Sequence, residues 1–214
     1  MAENRDKMRT CLRSISLTCS RYCIHRIMFC WRRWRMNSRG ADLERTDLAY
    51  LAGIIDGEGS LSVRAEQKNG GRLDIALKPY LDIVNTNMRL IQRVHTILAQ
   101  AGVDCRIYTH SPAAGGRLTA YRVRMDSAHK IMKILPLVIP YLTAKRRRAE
   151  LVYAFLSRRA RRLSQGGGPN GARYTLQEAR LAEQISNEIA ASTGKIRSRN
   201  PRLQKAMRQL ATHA

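Results

Sequence analysis

The sequence predicts an α+β domain with the element order αββαββα and further helices toward its C-terminal end. Two long runs of alternating apolar and polar residues, at 60–84 and 103–125, are each interrupted by a glycine-rich turn, the mark of an antiparallel hairpin. Segments with helical apolar spacing and recognisable caps stand before, between and after these hairpins. Four antiparallel strands with one face open to helices follow from that order.

The first helix is expected from Thr46, where Thr46-Asp47 can cap it, to a stop at Gly57 to Gly59. Along it Ala49, Gly53 and Gly57 recur every fourth residue as a smooth stripe, while Leu48, Leu51 and Ile55 make a separate apolar face. The apolar face can enter a core. Small residues let two backbones approach closely, so the stripe suits pairing of this helix with a copy of itself. Ala49, Ala52, Gly53, Asp56 and Gly57 are then the contact residues, and Glu58 is carried to the bottom of the pair.

Ser60 to Lys68 alternates, turns at Asn69-Gly70-Gly71 and returns as Arg72 to Val84. Asn85-Thr86-Asn87 caps a helix through about Ala101, ended by Gly102. Residues 103–110 and 117–125 form the second hairpin around Pro112-Ala113-Ala114-Gly115-Gly116. Helices follow from Ser127 to about Leu135 and from about Thr143 to Leu163. Gln165 to Arg173, with Gly166-Gly167-Gly168-Pro169, is a loop. Thr175-Leu176-Gln177-Glu178 is a capping box that opens a helix to about Ala191, and Lys195 to Leu210 reads as one short basic helix. The chain divides into a basic, poorly ordered extension over 1–45, a core over 46–163, and a glycine-rich loop with C-terminal helices over 164–214.

A net charge of +23, from 39 Lys and Arg against 16 acids, is far beyond what solubility needs and points to phosphate as the partner. Anionic lipid is the alternative, but the longest apolar stretch, Ile131 to Leu142, is broken by Lys133, Pro136 and Pro140 and is too short to span a bilayer. No membrane segment is expected. Cys11, Cys19, Cys23 and Cys30 crowd the N-terminal segment and with His25 are a zinc-ligand set by type, but their irregular gaps and lack of knuckle glycines favour reduced, structurally idle thiols of an intracellular protein. That Arg- and Ser-rich segment mimics an organelle transit peptide, but its Cys-Trp-Arg-Arg-Trp-Arg run at 30–35 looks more like a poorly structured basic extension, and Met36 is an alternative start. An organelle, mitochondrion or chloroplast, and a prokaryotic cytoplasm both remain open as the compartment.

The period-2 pattern sorts the strands into faces. Ser62, Arg64, Glu66 and Lys68 share one face of the first strand, and Lys78, Tyr80 and Asp82 share one face of its return. The second hairpin offers Arg106, Tyr108 and His110, then Arg122 and Arg124. A solvated sheet face is the ordinary reading of any one such strand, but the same cationic bias in all four favours a nucleic-acid surface. An antiparallel ribbon fits the DNA major groove, where Arg and Lys donate to guanine and Asp accepts from cytosine.

Leu51-Ala52-Gly53-Ile54-Ile55-Asp56-Gly57-Glu58-Gly59 is the most specific stretch of the chain. An amphipathic helix ending at glycine explains its apolar spacing, but not the Asp-Gly-Glu-Gly order ahead of a basic strand. It resembles the motif that names the LAGLIDADG homing endonucleases, and the resemblance extends over residues 46–160. It implies that family's fold, a four-stranded antiparallel saddle over DNA. It also implies that Glu58 takes the place of the essential metal-binding carboxylate, with the carbonyl of Gly57 facing the same metal. Asp56 ranks below Glu58, as a cap or interface support. Asn85 falls where relatives carry a residue that orders water, and Arg89 where they carry a basic residue near the scissile phosphate. Pro140-Tyr141-Leu142-Thr143-Ala144-Lys145 resembles the stretch leading to an active-site lysine, Lys145. A helix cap is the ordinary reading of Asn85, and solvated charge that of Arg89 and Lys145.

Phosphodiester hydrolysis needs an activated water and neutralisation of building charge, which Mg2+ or Mn2+ held by carboxylate oxygen supplies. The motif occurs once, and in the family one-motif chains form homodimers, so the resemblance implies a homodimer with two Glu58 centres. Its expected activity is a double-strand break with short 3′ overhangs in a long pseudo-palindromic target. Two other classes use this fold: an RNA maturase that binds its intron RNA without cutting DNA, favoured when the motif acid is lost, and a transcription regulator, which normally carries an appended helix-turn-helix. Glu58 is intact and the C-terminal segment holds one basic helix at most, so the enzyme leads.

Overall fold

Helix α1 (Arg45–Glu58) buries Leu48, Leu51, Ala52 and Ile55, the i, i+3, i+4, i+7 set of one helical face. It starts one residue before the expected Thr46, and Glu44 in the cap position makes no side-chain capping bond. Asp47 lies inside the first turn instead, and its carboxylate is committed to Arg93 on a neighbouring helix. Gly59 ends α1 by close approach: a Cβ there would lie 2.6 Å from the Ile55 carbonyl oxygen. The chain is then already in strand β1 (Gly59–Gln67).

The computed structural model describes residues 43–67, 75–110, 118–165, 174–193 and 201–212. Lys68, the turn residues Asn69 to Gly71 and Pro112 to Gly116, the Gly166 to Pro169 loop and the extension before residue 43 lie outside the described residues. Strand β2 (Ile75–Asn85), helix α2 (Met88–Gln100), strands β3 (Ile107–His110) and β4 (Ala120–Met125), and helices α3 (Ala128–Val138) and α4 (Arg146–Ser164) complete the expected αββαββα order. Helices α5 (Leu176–Thr193) and α6 (Pro201–Ala211) follow.

The four strands make one antiparallel sheet in the order β1-β2-β4-β3. Leu61 pairs with Leu81 and Leu81 with Met125, while Ile83 and Ile107 both pair with Val123, so these side chains share one face. That face is the core side, where Leu61, Leu81, Ile83, Val123 and Met125 are fully buried among apolar residues of α1 to α4. Strand β3 is shorter than the predicted 103–110. Val103 and Cys105 still point inward, but the Cys105 carbonyl accepts from His95 Nε2 at 2.8 Å rather than from a ladder partner. Arg106 therefore stands just before the strand.

Asn87 caps α2, its Oδ1 accepting the N–H of Arg89 at 3.0 Å and of Leu90 at 3.4 Å. Past the helix, Gly102 has φ +70°, the left-handed conformation expected of a terminating glycine. Helix α3 runs through Pro136 to Val138, beyond the predicted end at Leu135, because proline removes one N–H while Leu135 and Val138 are fully buried. The predicted capping box is present: Thr175 N–H donates to Glu178 Oε2 at 2.8 Å and Glu178 N–H to Thr175 Oγ1 at 3.2 Å.

Ala179, Ala182 and Ile185 of α5 and Leu203 and Ala206 of α6 belong to the same apolar core as the sheet. The compositional boundary at 163 is thus not a boundary in packing. The Tyr174 hydroxyl bonds both the N–H and the carbonyl of Leu77, where β2 runs on past its last pairing with β4. Arg159 lies 4.3 Å over the Tyr174 ring, and buried Glu178 pairs with Arg162 at 2.8 Å and Arg159 at 3.7 Å. Among the described residues no helix is long and apolar enough to cross a membrane.

Candidate functional site

The end of α1 meets the start of α4 in a pair of reciprocal caps. Asp56, half-buried, accepts the backbone N–H groups of Thr143 at 2.7 Å, Ala144 at 3.2 Å and Lys145 at 2.8 Å. These donors would otherwise be orphans ahead of a helix N-terminus, where a carboxylate is also favoured by the dipole. They are the reason α4 starts at Arg146 and not at the predicted Thr143. In return, Lys145 Nζ donates to the carbonyls of Ile55 at 2.8 Å, Asp56 at 2.5 Å and Gly57 at 3.5 Å in the last turn of α1, the negative end of the helix dipole.

Glu58 ends α1 exposed to solvent, and its charge acts on Lys145. Burial, aided by repulsion from Arg148, pulls the Lys145 ammonium below the usual lysine range, against the opposing pull of Asp56 and Glu58. The structure therefore brings together Glu58, Asp56, Gly57 and Lys145. Among the described residues no group of three or more His, Cys, Asp or Glu side chains could cage a metal. Glu58 alone offers a free hard oxygen, which suits Mg2+ or Mn2+ with phosphate oxygens and water completing the shell. The Gly57 carbonyl, the other expected ligand, already faces the Lys145 ammonium.

Asn85 and Arg89 are not joined to this pair by any side-chain hydrogen bond or ion pair among the described residues. Asn85 Oδ1 accepts the Asn87 N–H at 2.8 Å, an Asx turn into α2, and Arg89 is exposed in the first turn of that helix.

Of the expected helix-contact residues, Ala49, Gly53 and Gly57 are exposed, and a Cβ at Gly53 or Gly57 would meet nothing within 4 Å. Tyr50, 41% exposed, stands beside them. Two assignments need correction. Ala52 is fully buried in its own chain's core, one step off the stripe and beside Leu51, so it has no surface for a partner. Asp56 takes the capping role expected of it rather than the interface one, turned to its own chain's 143–145 backbone.

The sheet face opposite the core carries the predicted cationic set. Ser62 pairs with Tyr80, Arg64 with Lys78, Asp82 with Arg124, Tyr108 with Arg122, and His110 lies opposite Ala120. Arg64, Lys78, Arg106, Tyr108 and His110 are exposed. Several residues of this face, two of these among them, are engaged within the chain. Arg64 lies 4.1 Å over the Tyr80 ring, and Lys78 Nζ pairs with Glu66 at 2.6 Å, which holds the Glu66 carboxyl below its ordinary range. Ser62, Tyr80 and Asp82 are buried, Asp82 between Arg122 and Arg124 at 3.7 Å each. The carboxylate of Asp82, expected among the DNA-contacting residues, thus lies beneath two guanidiniums.

Arg148 was hidden in the Lys145-Arg146-Arg147-Arg148 run, which reads as solvated charge. It is buried, donates to Ser192 Oγ of α5, and sits one turn beyond Lys145. Its signal is spacing: residues 148, 152 and 155 share one α4 face, and Val152 and Phe155 are core.

Residues 45–135 match the model of the LAGLIDADG-like domain. The archaeal intron-encoded homing endonuclease I-Vdi141I in complex with DNA is 18% identical with TM-score 0.57, the match covering 78% of this chain and 96% of that one. The homing endonuclease I-CvuI with its target and calcium is 17% identical with TM-score 0.56, over 78% of this chain and 96% of that one. The group I intron-encoded homing endonuclease I-CeuI with DNA is 16% identical with TM-score 0.56, over 80% of this chain and 78% of that one. No curated protein gives a significant match. At these identities the likeness is one of fold.

Proposed function

We propose that this chain, which carries a LAGLIDADG-like domain over residues 45–135 and has the LAGLIDADG homing-endonuclease fold, is a site-specific, divalent-metal-dependent DNA endonuclease. The observation that carries the reading is the Glu58 carboxylate, free at the end of α1 beside a lysine locked to that helix end, on a domain whose open sheet face is cationic. The saddle residues Arg64, Lys78, Arg106, Arg122 and Arg124 hold the duplex by its phosphates and guanine edges. Similar folds have been solved on DNA targets with calcium or magnesium.

Glu58 holds the cation, Mg2+ or Mn2+, which when bound supplies Lewis acidity and charge neutralisation at the scissile phosphate. Lys145 keeps the α1 end fixed and adds positive charge beside the reacting phosphate, and Asp56 keeps Lys145 there. A single chain provides one such centre. Cutting both strands takes two, and the exposed Ala49, Gly53 and Gly57 face supports pairing of two α1 helices in a homodimer.

We take the reading frame as intron-borne; the test is then cleavage of a plasmid carrying the intronless junction, with magnesium, manganese or chelator, beside binding of the intron's RNA. Metal-dependent linearisation is the expected outcome. Binding of the intron RNA with no cleavage of DNA under any metal would replace the endonuclease with an RNA maturase.

A further inference from the structure

The sheet face that carries the arginines also buries an acid among them. Asp82 is 4% exposed at the middle of β2, directly opposite Arg124 and diagonal to Arg122 on β4. Its Oδ1 lies 3.7 Å from Arg124 Nε and its Oδ2 3.7 Å from Arg122 Nη2, ion-pair separations beyond hydrogen-bond reach. Both arginine side chains stay about a third exposed, at 30% and 32%. One carboxylate thus anchors two guanidiniums from below and leaves their upper edges open.

We propose that Asp82 is a positioning residue for DNA recognition, which aims Arg122 and Arg124 at two guanines in the major groove and contacts no base itself. The proposal rests on the endonuclease reading. Its physical basis is pre-organisation. A free arginine loses much rotamer freedom on docking to guanine O6 and N7, and the bidentate geometry tolerates little misplacement. A buried carboxylate cannot swing to solvent, so the attraction fixes both side chains before DNA arrives. The trio keeps a net positive charge, so the clamp does not cancel the attraction to phosphate.

The closing experiment selects duplexes from a randomised library with the full chain as wild type, Asp82→Asn, Arg122→Lys and Arg124→Lys, in calcium so that bound DNA is not cut. Salt dependence of binding and thermal stability are measured alongside. Wild type should enrich guanine at two positions of each half-site, and each lysine variant should lose one of them in both half-sites. Asp82→Asn should lose discrimination at both by about fivefold to a hundredfold. Its affinity for unrelated duplex should hold or rise, because a negative charge has left a cationic face.

Unchanged preferences in a folded Asp82→Asn would overturn the proposal, as would a loss confined to a cytosine, which would make Asp82 a base reader. Should Asp82→Asn melt early, Asp82→Glu keeps the charge but displaces it by one methylene; loss of the same two guanines would support the clamp, and a wild-type profile would end it. A wild-type chain that enriches no sequence, although folded, would remove the endonuclease reading and this proposal with it. A defined wild-type target with an unaltered Asp82→Asn profile removes the clamp alone.

Discussion

Asp56 and Lys145 hold each other by backbone and side chain at once: the Asp56 carboxylate accepts the Lys145 N–H at 2.8 Å while Lys145 Nζ donates to the Asp56 carbonyl at 2.5 Å. The acid end of α1 and the lysine at the head of α4 therefore cannot move independently. A site made of one free acid and one cation gains its geometry from this lock.

Asp56→Asn keeps an acceptor oxygen but removes the charge that satisfies three N–H donors. Stability should fall by about 1–2 kcal/mol, the usual scale for weakening a helix cap. Cleavage should fall less than on loss of Glu58. Denaturant unfolding and single-turnover cutting would report the two effects, and a variant as stable as wild type would show that the cap is idle.

Lys145→Met should slow cleavage while leaving metal binding intact. It also carries a pH signature. With its folded value lowered by burial and Arg148, Lys145 releases its proton in the folded chain before it does in the unfolded one. Between that lowered value and the ordinary lysine value the unfolded chain binds more protons, so this lysine's contribution makes stability rise with pH in that alkaline window. The variant should lack that contribution. Equal slopes in both proteins would contradict the burial argument.

Alanine at Arg64, Arg106, Arg122 or Arg124 should weaken binding of the target by roughly 1–3 kcal/mol each, and base-contacting positions should relax preference locally. Lys78→Ala should cost less, since Lys78 is shared with Glu66 in the free protein. Log affinity should also fall steeply with log salt. Neutral effects at all five positions in gel-shift titrations would remove this face from the DNA.

Glu178→Ala should destabilise by about 3–5 kcal/mol, because it removes a fully buried acid that pairs with Arg162 and Arg159 and accepts the Thr175 N–H. Glu66→Ala breaks a shorter but solvent-exposed pair and should unfold at the wild-type midpoint. Equal midpoint shifts in urea would show that burial does not decide between them.

Much of this was legible from local patterns. The αββαββα order, the Asn87 cap and the Thr175–Glu178 capping box are short-range features, fixed by residues a few positions apart. Alternation also put Arg64, Lys78, Arg122 and Arg124 on one face, because strand periodicity does not depend on partners. What escaped depends on distant pairing. The start of α4 was misjudged because its N–H groups are satisfied from Asp56, 87 residues earlier at Thr143. For Asp82, sequence gives the face but not the depth beneath two arginines. Ala52 belongs equally to a small-residue stripe and to a core face, and only packing decides. Arg148 was masked by its neighbours' charge.

The most direct test of the account is Glu58→Gln, which keeps length and hydrogen bonding but removes the charge that holds a divalent cation. Metal-dependent cutting should fall by orders of magnitude, with DNA affinity in calcium and dimerisation retained at near wild-type strength. Undiminished cutting by this variant would contradict the assignment of Glu58 as the centre of the site.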